Sequence, residues 1–355
     1  MRRRLSSILG MSEVMTMKPW RIVLALIFLV GSPLVFTAPA AQVPRAQVIV
    51  LSNSSPHVSV IDAETNRIVK TADMPGMTSW GWNDENNYYD GTNLWLGMRN
   101  PDTDDVEVVL LDLDTLRVTR RIPLGKDATT LYIGKPSRTG RVFVAKHASG
   151  QLAVVDTRTF TVTTVNLPVN GGVACDVDVA QGPDGVERVF IPTRNANTVL
   201  SVDSRTLRVL GTLRFPGTEP FMLTASPNGR QVWVEERTGG SEAVVDTVTL
   251  SVLRRVPVGK TPIIGAFSPD GRLHITGHAA DTVVVAYDTK TLREAWRAQA
   301  GTYPEKVGVH PAGTFVYAIL SREGAVAVLD ARTGKAIGRI SLGTNPTGIF
   351  VRRLK

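Results

Sequence analysis

Cysteine is nearly missing from this chain: Cys175 is the sole one in 355 residues. That excludes an intrachain disulfide, a CxxC zinc site and a CxxCH haem attachment, each of which needs two sulfurs. Its expected role is a small, buried apolar side chain. Catalytic signatures are missing too. There is no GxSxG elbow, no HExxH, no GxxxxGKS/T and no GxGxxG, and GKPSRTG at 134–140 lacks the spacing of a phosphate loop. Long hydrophobic runs are limited to one, Ile22 to Val30. It is too short for a membrane span, which needs roughly 20 apolar residues.

That run is framed as a secretory leader. Met17-Lys18-Pro19-Trp20-Arg21 supplies positive charge, Gly31-Ser32-Pro33 ends the run, and Ala38-Pro39-Ala40 matches a small-x-small cleavage pattern. Residues 1–40 are expected to be a signal peptide, with Met17 as an alternative start. Residues 41–355 are expected to form one exported domain, periplasmic or secreted. The leader holds five of the 40 Lys/Arg and one of the 32 Asp/Glu, so the mature chain keeps 35 and 31 and its formal charge falls from +8 to +4. Such mild basicity does not predict a nucleic-acid binder.

What the chain has in abundance is repetition. VIDAET around Asp62 returns as LLDLDTL at Asp112, VVDTRTF at Asp156, SVDSRTL at Asp203, VVDTVTL at Asp246, AYDTKTL at Asp288 and VLDARTG at Asp330. The intervals are 50, 44, 47, 43, 42 and 42 residues. Each Asp follows an alternating apolar run and precedes a turn and a second run. Most units also carry an SPNG, SPDG or HPAG turn before another apolar run. Four short strands per unit of about 42 residues predict a β-propeller blade, since repeats of this period stack to cover one another's faces. The chain opens with three strands of a blade and closes with a spare one, NPTGIFVRR. The fold class is therefore all-β: a seven-bladed β-propeller with four-stranded antiparallel blades, closed by the C-terminal strand in blade 1.

Segments such as LGTNPTGIFV, TASPNGRQVWV and TVLSVDSRTLRVLGTLRFPG resemble the YVTN-family (YncE-like) seven-bladed propeller repeats of exported bacterial proteins. The resemblance covers residues 46–355. It implies a fold and no particular function, because such repeats serve binding proteins and enzymes alike. FVAK, FIPT, WVEE and YAIL stand where YVTN would.

The recurring Asp and Thr are explained as turn architecture, with Asp accepting backbone N–H bonds and Thr closing the same turn. Function is expected where the blades differ, on loops held by the rigid ring. Just past the second strand of successive blades stand Asn53, Arg99, His147, Arg194, Arg237, His278 and Ser321 with Arg322 beside it, flanked by Lys146 and His57. This register predicts a basic ring on the face that carries the blade-to-blade links. Arg99, His147, Arg194, Arg237, His278 and Arg322 are the candidate ligand-binding set, for an anionic small molecule or a protein partner. Solvated loop charge is the competing account. His57, His147 and His278 lie on different blades, so no metal site is expected. No cofactor is expected. His310 has a turn role, and His274 interrupts a strand with no partner in view.

Asp176, Asp178 and Glu305 on innermost strands, the last beside Lys306, supply acids for an alternative reading: a propeller enzyme of the lactonase, lyase or haem-d1-related kind. Finally, SWGWNDENNYYDG at 79–91 concentrates aromatic and amide side chains. Alignment makes it an enlarged SPNG turn, with Trp95 equivalent to Trp233. A sugar or partner platform is the other reading of Tyr88 and Tyr89.

Overall fold

The computed structural model describes residues 45–52, 56–74, 87–100, 102–127, 131–169 and 172–354. The proposed leader, the cleavage site, Asn53 and residues 79–86 of the aromatic turn lie outside these. Seven antiparallel sheets follow one another along the chain, six with four strands and one with three among the described residues. Blade 5 shows the plan: Pro220–Ala225 innermost, then Gln231–Glu236, Ser241–Asp246 and Val252–Pro257. Its first three strands are buried almost throughout, and its outermost is mainly exposed. Composition explains the gradient. Inner strands carry continuous apolar runs because neighbouring blades cover both faces, whereas outer strands alternate with Arg and Thr.

The ring closes as the terminal strands dictate. Pro346–Arg353 pairs antiparallel with Ala46–Ser52, setting Val48 against Val351 and Val50 against Ile349. Val48, Val50, Ile349 and Val351 then share one core with Tyr317, Ile319, Val326 and Val328 of blade 7. Polar bonds lock the same joint: Arg352 donates to Gln47 Oε1 at 2.6 Å and to Asp114 at 2.8 Å.

Every repeated Asp makes the expected turn. Asp112 Oδ1, for instance, accepts from Asp114 N, Thr115 N and Thr115 Oγ1 at 2.7–2.9 Å. The backbone N–H of the Thr three residues on is the main reason why Asp112, Asp156, Asp203 and Asp288 lie below the usual carboxylate range. In each blade the residue after that Thr adopts positive φ: Asn66, Leu116, Phe160, Leu207, Leu250, Leu292 and Gly334. Its N–H bonds back to the Asp carbonyl at 2.8–3.1 Å. The described end of the aromatic turn is likewise folded onto the blades. Asn87 donates to Trp95 O at 2.7 Å, Tyr88 lies 5.3 Å from the Trp95 ring, and Tyr89 lies 5.8 Å from Phe350.

Candidate functional site

The hairpin after each second strand meets the preceding blade-to-blade link on one face. Short backbone bonds set the meeting: Arg194 N to Val173 O and Arg237 N to Glu219 O at 3.1 Å, Ala279 N to Thr261 O at 3.2 Å. The side chains placed there share a register but not a fate. Arg194 and Arg237, from adjacent blades, converge on one ring. Their guanidinium carbons sit 6.0 and 4.9 Å from the centroid of Phe221, and among the described residues neither has an ion-pair partner. His147 is close enough for Arg194 to disfavour its protonation, although burial is the larger cause of its lowered pKa. Its Nδ1 lies 2.8 Å from Ala174 O. Two members of the proposed ring thus meet on Phe221, with His147 within electrostatic reach of Arg194.

The other members go elsewhere. Arg99 is closed onto Asp104 of its own hairpin. His57 contacts Asp73 at 2.8 Å. Lys146 points inward, donating to Leu124 O and Gln151 Oε1. His278 is fully buried, so it does not present itself on the link face at all. His278 is the last residue of its strand and pairs with Pro262 as Glu236 does with Pro220, so it stands one step short of the position of Arg237, and alternation along the strand turns it into the wall.

Arg322 stacks on Tyr303, its guanidinium 4.1 Å from the ring centroid. Both line an open cleft of about 790 Å³ between blades 7 and 1, together with Glu305, Ser321, Thr344 and Asn345. Its walls are polar and local. Ser52 Oγ meets Thr344 Oγ1 at 2.8 Å, and Glu323 is held by Thr302 N and Arg339. Burial pushes the Glu305 carboxyl above its usual value, opposed by Lys306, Ser321 and Arg322. Tyr303 has positive φ, yet Glu219 and Thr261 do the same before Pro220 and Pro262. A conformation repeated at three blade entries is architecture, not a mark of this cleft.

The acids divide in the same way. Asp176 accepts Leu223 N at 3.0 Å, and Asp178 accepts Ala225 N at 2.8 Å and Lys135 Nζ at 3.0 Å. Both side chains are buried and join blade 4 to the innermost strand of blade 5, so their oxygens are engaged in structural pairing. The physical reason is the edge of that strand, whose N–H groups need acceptors once buried. Glu305 alone of the three opens onto a cleft. Cys175 is buried, and burial raises its thiol to about 11, in keeping with the apolar role expected of it. Phe221 and Tyr303, which organise the arginines, were not singled out from sequence. Their signal was the repeated entry TEPF, KTPI, TYPE, in the first and last of which an aromatic residue flanks the constant Pro.

No family model matches the chain, and no curated protein matches it by sequence. By structure the chain is similar to many propellers. One is PpgL, the periplasmic gluconolactonase of Pseudomonas aeruginosa, at TM-score 0.70 and 18% identity, covering 88% of this chain and 100% of that one. Another is AztD of Citrobacter koseri, at TM-score 0.64 and 13% identity over 88% and 99%. The dihydro-haem d1 dehydrogenase NirN matches at TM-score 0.60 and 14% identity over 86% and 74%. At such identities the likeness shows the fold, and the fold is a seven-bladed β-propeller. Among the described residues, no helix is long and apolar enough to cross a membrane, and no group of three or more His, Cys, Asp or Glu is placed to hold a metal ion.

Proposed function

We propose that the protein is an exported, YVTN-like propeller that binds an anionic small molecule or an acidic protein segment on its link face. The observation that carries this reading is the pair Arg194 and Arg237, two guanidinium groups on one phenyl ring, neither ion-paired among the described residues. Like charges held together repel, and an anion bridging them relieves the repulsion with charge-assisted, fork-shaped hydrogen bonds. The apolar ring beneath them favours a ligand with a flat or apolar body behind its acid. Export is supported by the leader pattern at 17–40 and by the periplasmic setting named for PpgL. The test is calorimetric titration with organic acids at low and high salt. Wild type should bind with an affinity that falls as salt rises. An Arg194→Ala, Arg237→Ala pair should lose at least tenfold, because each charged bond contributes roughly 1.5–3 kcal/mol. Equal binding by both proteins would reduce the pair to solvated charge.

A second reading rests on Glu305. A carboxyl whose pKa is raised, beside an arginine in an open polar cleft, has the make-up of a general acid with an anchor for a negatively charged substrate. Given the gluconolactonase name of PpgL, the substrate to try is a sugar lactone. Hydrolysis that vanishes in Glu305→Gln while the fold survives would support the enzyme. Turnover at the uncatalysed rate by wild type would remove this reading.

A further inference from the structure

The wall between blades 5 and 6 contains a cluster that neither function uses. Glu235 and Glu242 stand opposite one another on the second and third strands of blade 5. His274 and His278 come from Leu273–His278, the second strand of blade 6. All four are completely buried. His274 Nδ1 and Glu242 Oε2 are 3.1 Å apart, within ion-pair distance but out of hydrogen-bond alignment. Among the described residues, neither nitrogen of His278, neither oxygen of Glu242 and only one oxygen of Glu235 has a hydrogen-bond partner; Glu235 Oε1 accepts Gly265 N at 3.2 Å. The imidazoles are fitted into the wall. Trp233 and Phe267 pack 4.5 and 4.8 Å from the His274 ring. A side-chain carbon on Gly265 would lie 2.4 Å from His274, and one on Gly259 would lie 2.6 Å from His278 Nδ1. Two glycines therefore leave the room that these rings occupy.

We infer that Glu235, Glu242, His274 and His278 form a buried proton-holding site that joins blades 5 and 6 only while Glu235 is protonated and His278 is neutral. Two carboxylates in one dry space cannot both ionise cheaply. Burial, then the charge of Glu242, drives Glu235 far above its ordinary 4.5. Asp176, facing it from blade 4, acts in the same direction. Burial pulls His278 from 6.5 down to about 4, against the attraction of Glu242, Asp281 and Glu294 and with the repulsion of Arg297. The phenol of Tyr287, facing the same carboxylates, is raised by burial first and by Glu242 next.

The signs then oppose. Glu235, raised in the folded state, contributes stability below pH 4.5 that is lost as pH rises. His278, lowered in the folded state, contributes stability above pH 6.5 that is lost as pH falls toward 4. Between 4.5 and 6.5, unfolding releases one proton from Glu235 and delivers one to His278, so the cluster exchanges none with solvent.

Single variants break this balance in opposite directions. Denaturant unfolding of wild type, Glu235→Gln and His278→Gln across pH 4.5–7.5 reads it directly. Taking ratios to wild type cancels the seven turn aspartates. Glu235→Gln should gain on wild type by roughly tenfold per pH unit as pH rises above about 5. His278→Gln should gain by a similar slope as pH falls below about 6. Ratios that stay flat for both variants overturn the inference. A readout on the unmodified protein guards against a variant that fails to fold. With five histidines in the chain, ¹³C-labelled imidazole resonances are resolvable, and one should stay neutral well below pH 6 in the folded state. His278 titrating near 6.5 would also overturn it.

Discussion

At the residue scale, the position after each Asp-x-x-Thr shows how context overrules local preference. Left-handed backbone suits Gly and Asn, which occur in blades 7 and 1, but Leu or Phe occupies the place in the other five. Packing outweighs the strain. Leu116, Leu207, Leu250, Leu292 and Phe160 each rest against the core of their sector. In blade 7 the same place is taken by Trp296 of blade 6, whose ring would meet a side-chain carbon on Gly334 at 2.5 Å. Gly334→Ala should therefore destabilise twice over, through φ +73 and through the displaced indole. A loss of about 2–3 kcal/mol is expected, from left-handed strain of about 1 kcal/mol plus overpacking. An unchanged denaturation midpoint would show that the indole moves aside without cost. The Asp-x-x-Thr turn marks the left-handed position in the sequence, while the packing that lets Leu or Phe occupy it comes from neighbours remote in the chain.

At the scale of the element, strands and turns were legible because each blade repeats one alternation with one turn chemistry. The two acids on the innermost strand of blade 4 were not. Spacing placed Asp176 and Asp178 beside the channel but could not show that the next blade's edge lies there with N–H groups to satisfy. His278 failed for a different reason: it closes its strand in the register of Glu236, one step before the position of Arg237, so it turns into the wall, where Gly259 leaves space beside it. Arg194, Arg237 and Arg322 came to aromatic rings because Phe221 and Tyr303 flank the prolines that open their blades. Long cationic side chains settle on such faces when no acid competes.

At the scale of the whole molecule, closure is the decisive property. Deleting residues 344–355 would uncover the edge of Ala46–Ser52 and one face of the core shared with blade 7. It would also take away Thr344 and Asn345 of the cleft. The truncated protein should aggregate, since an exposed apolar edge strand pairs with its like. Light scattering and a melting curve check this, and an unaltered monomer with an unaltered midpoint would count against closure as the source of stability.

The repeat, the blade count, the pairing of first and last strands and the face on which the variable loops lie were all legible in the amino-acid order. These depend on periodicity and turn chemistry, which are local and written seven times over. Which arginines meet, which acids are spent between blades, and that Glu242 and His274 share a wall emerged only from the folded ring. Those outcomes depend on side chains from different blades arriving at one point, and such distances are set by packing around the ring and have no counterpart in spacing along the chain.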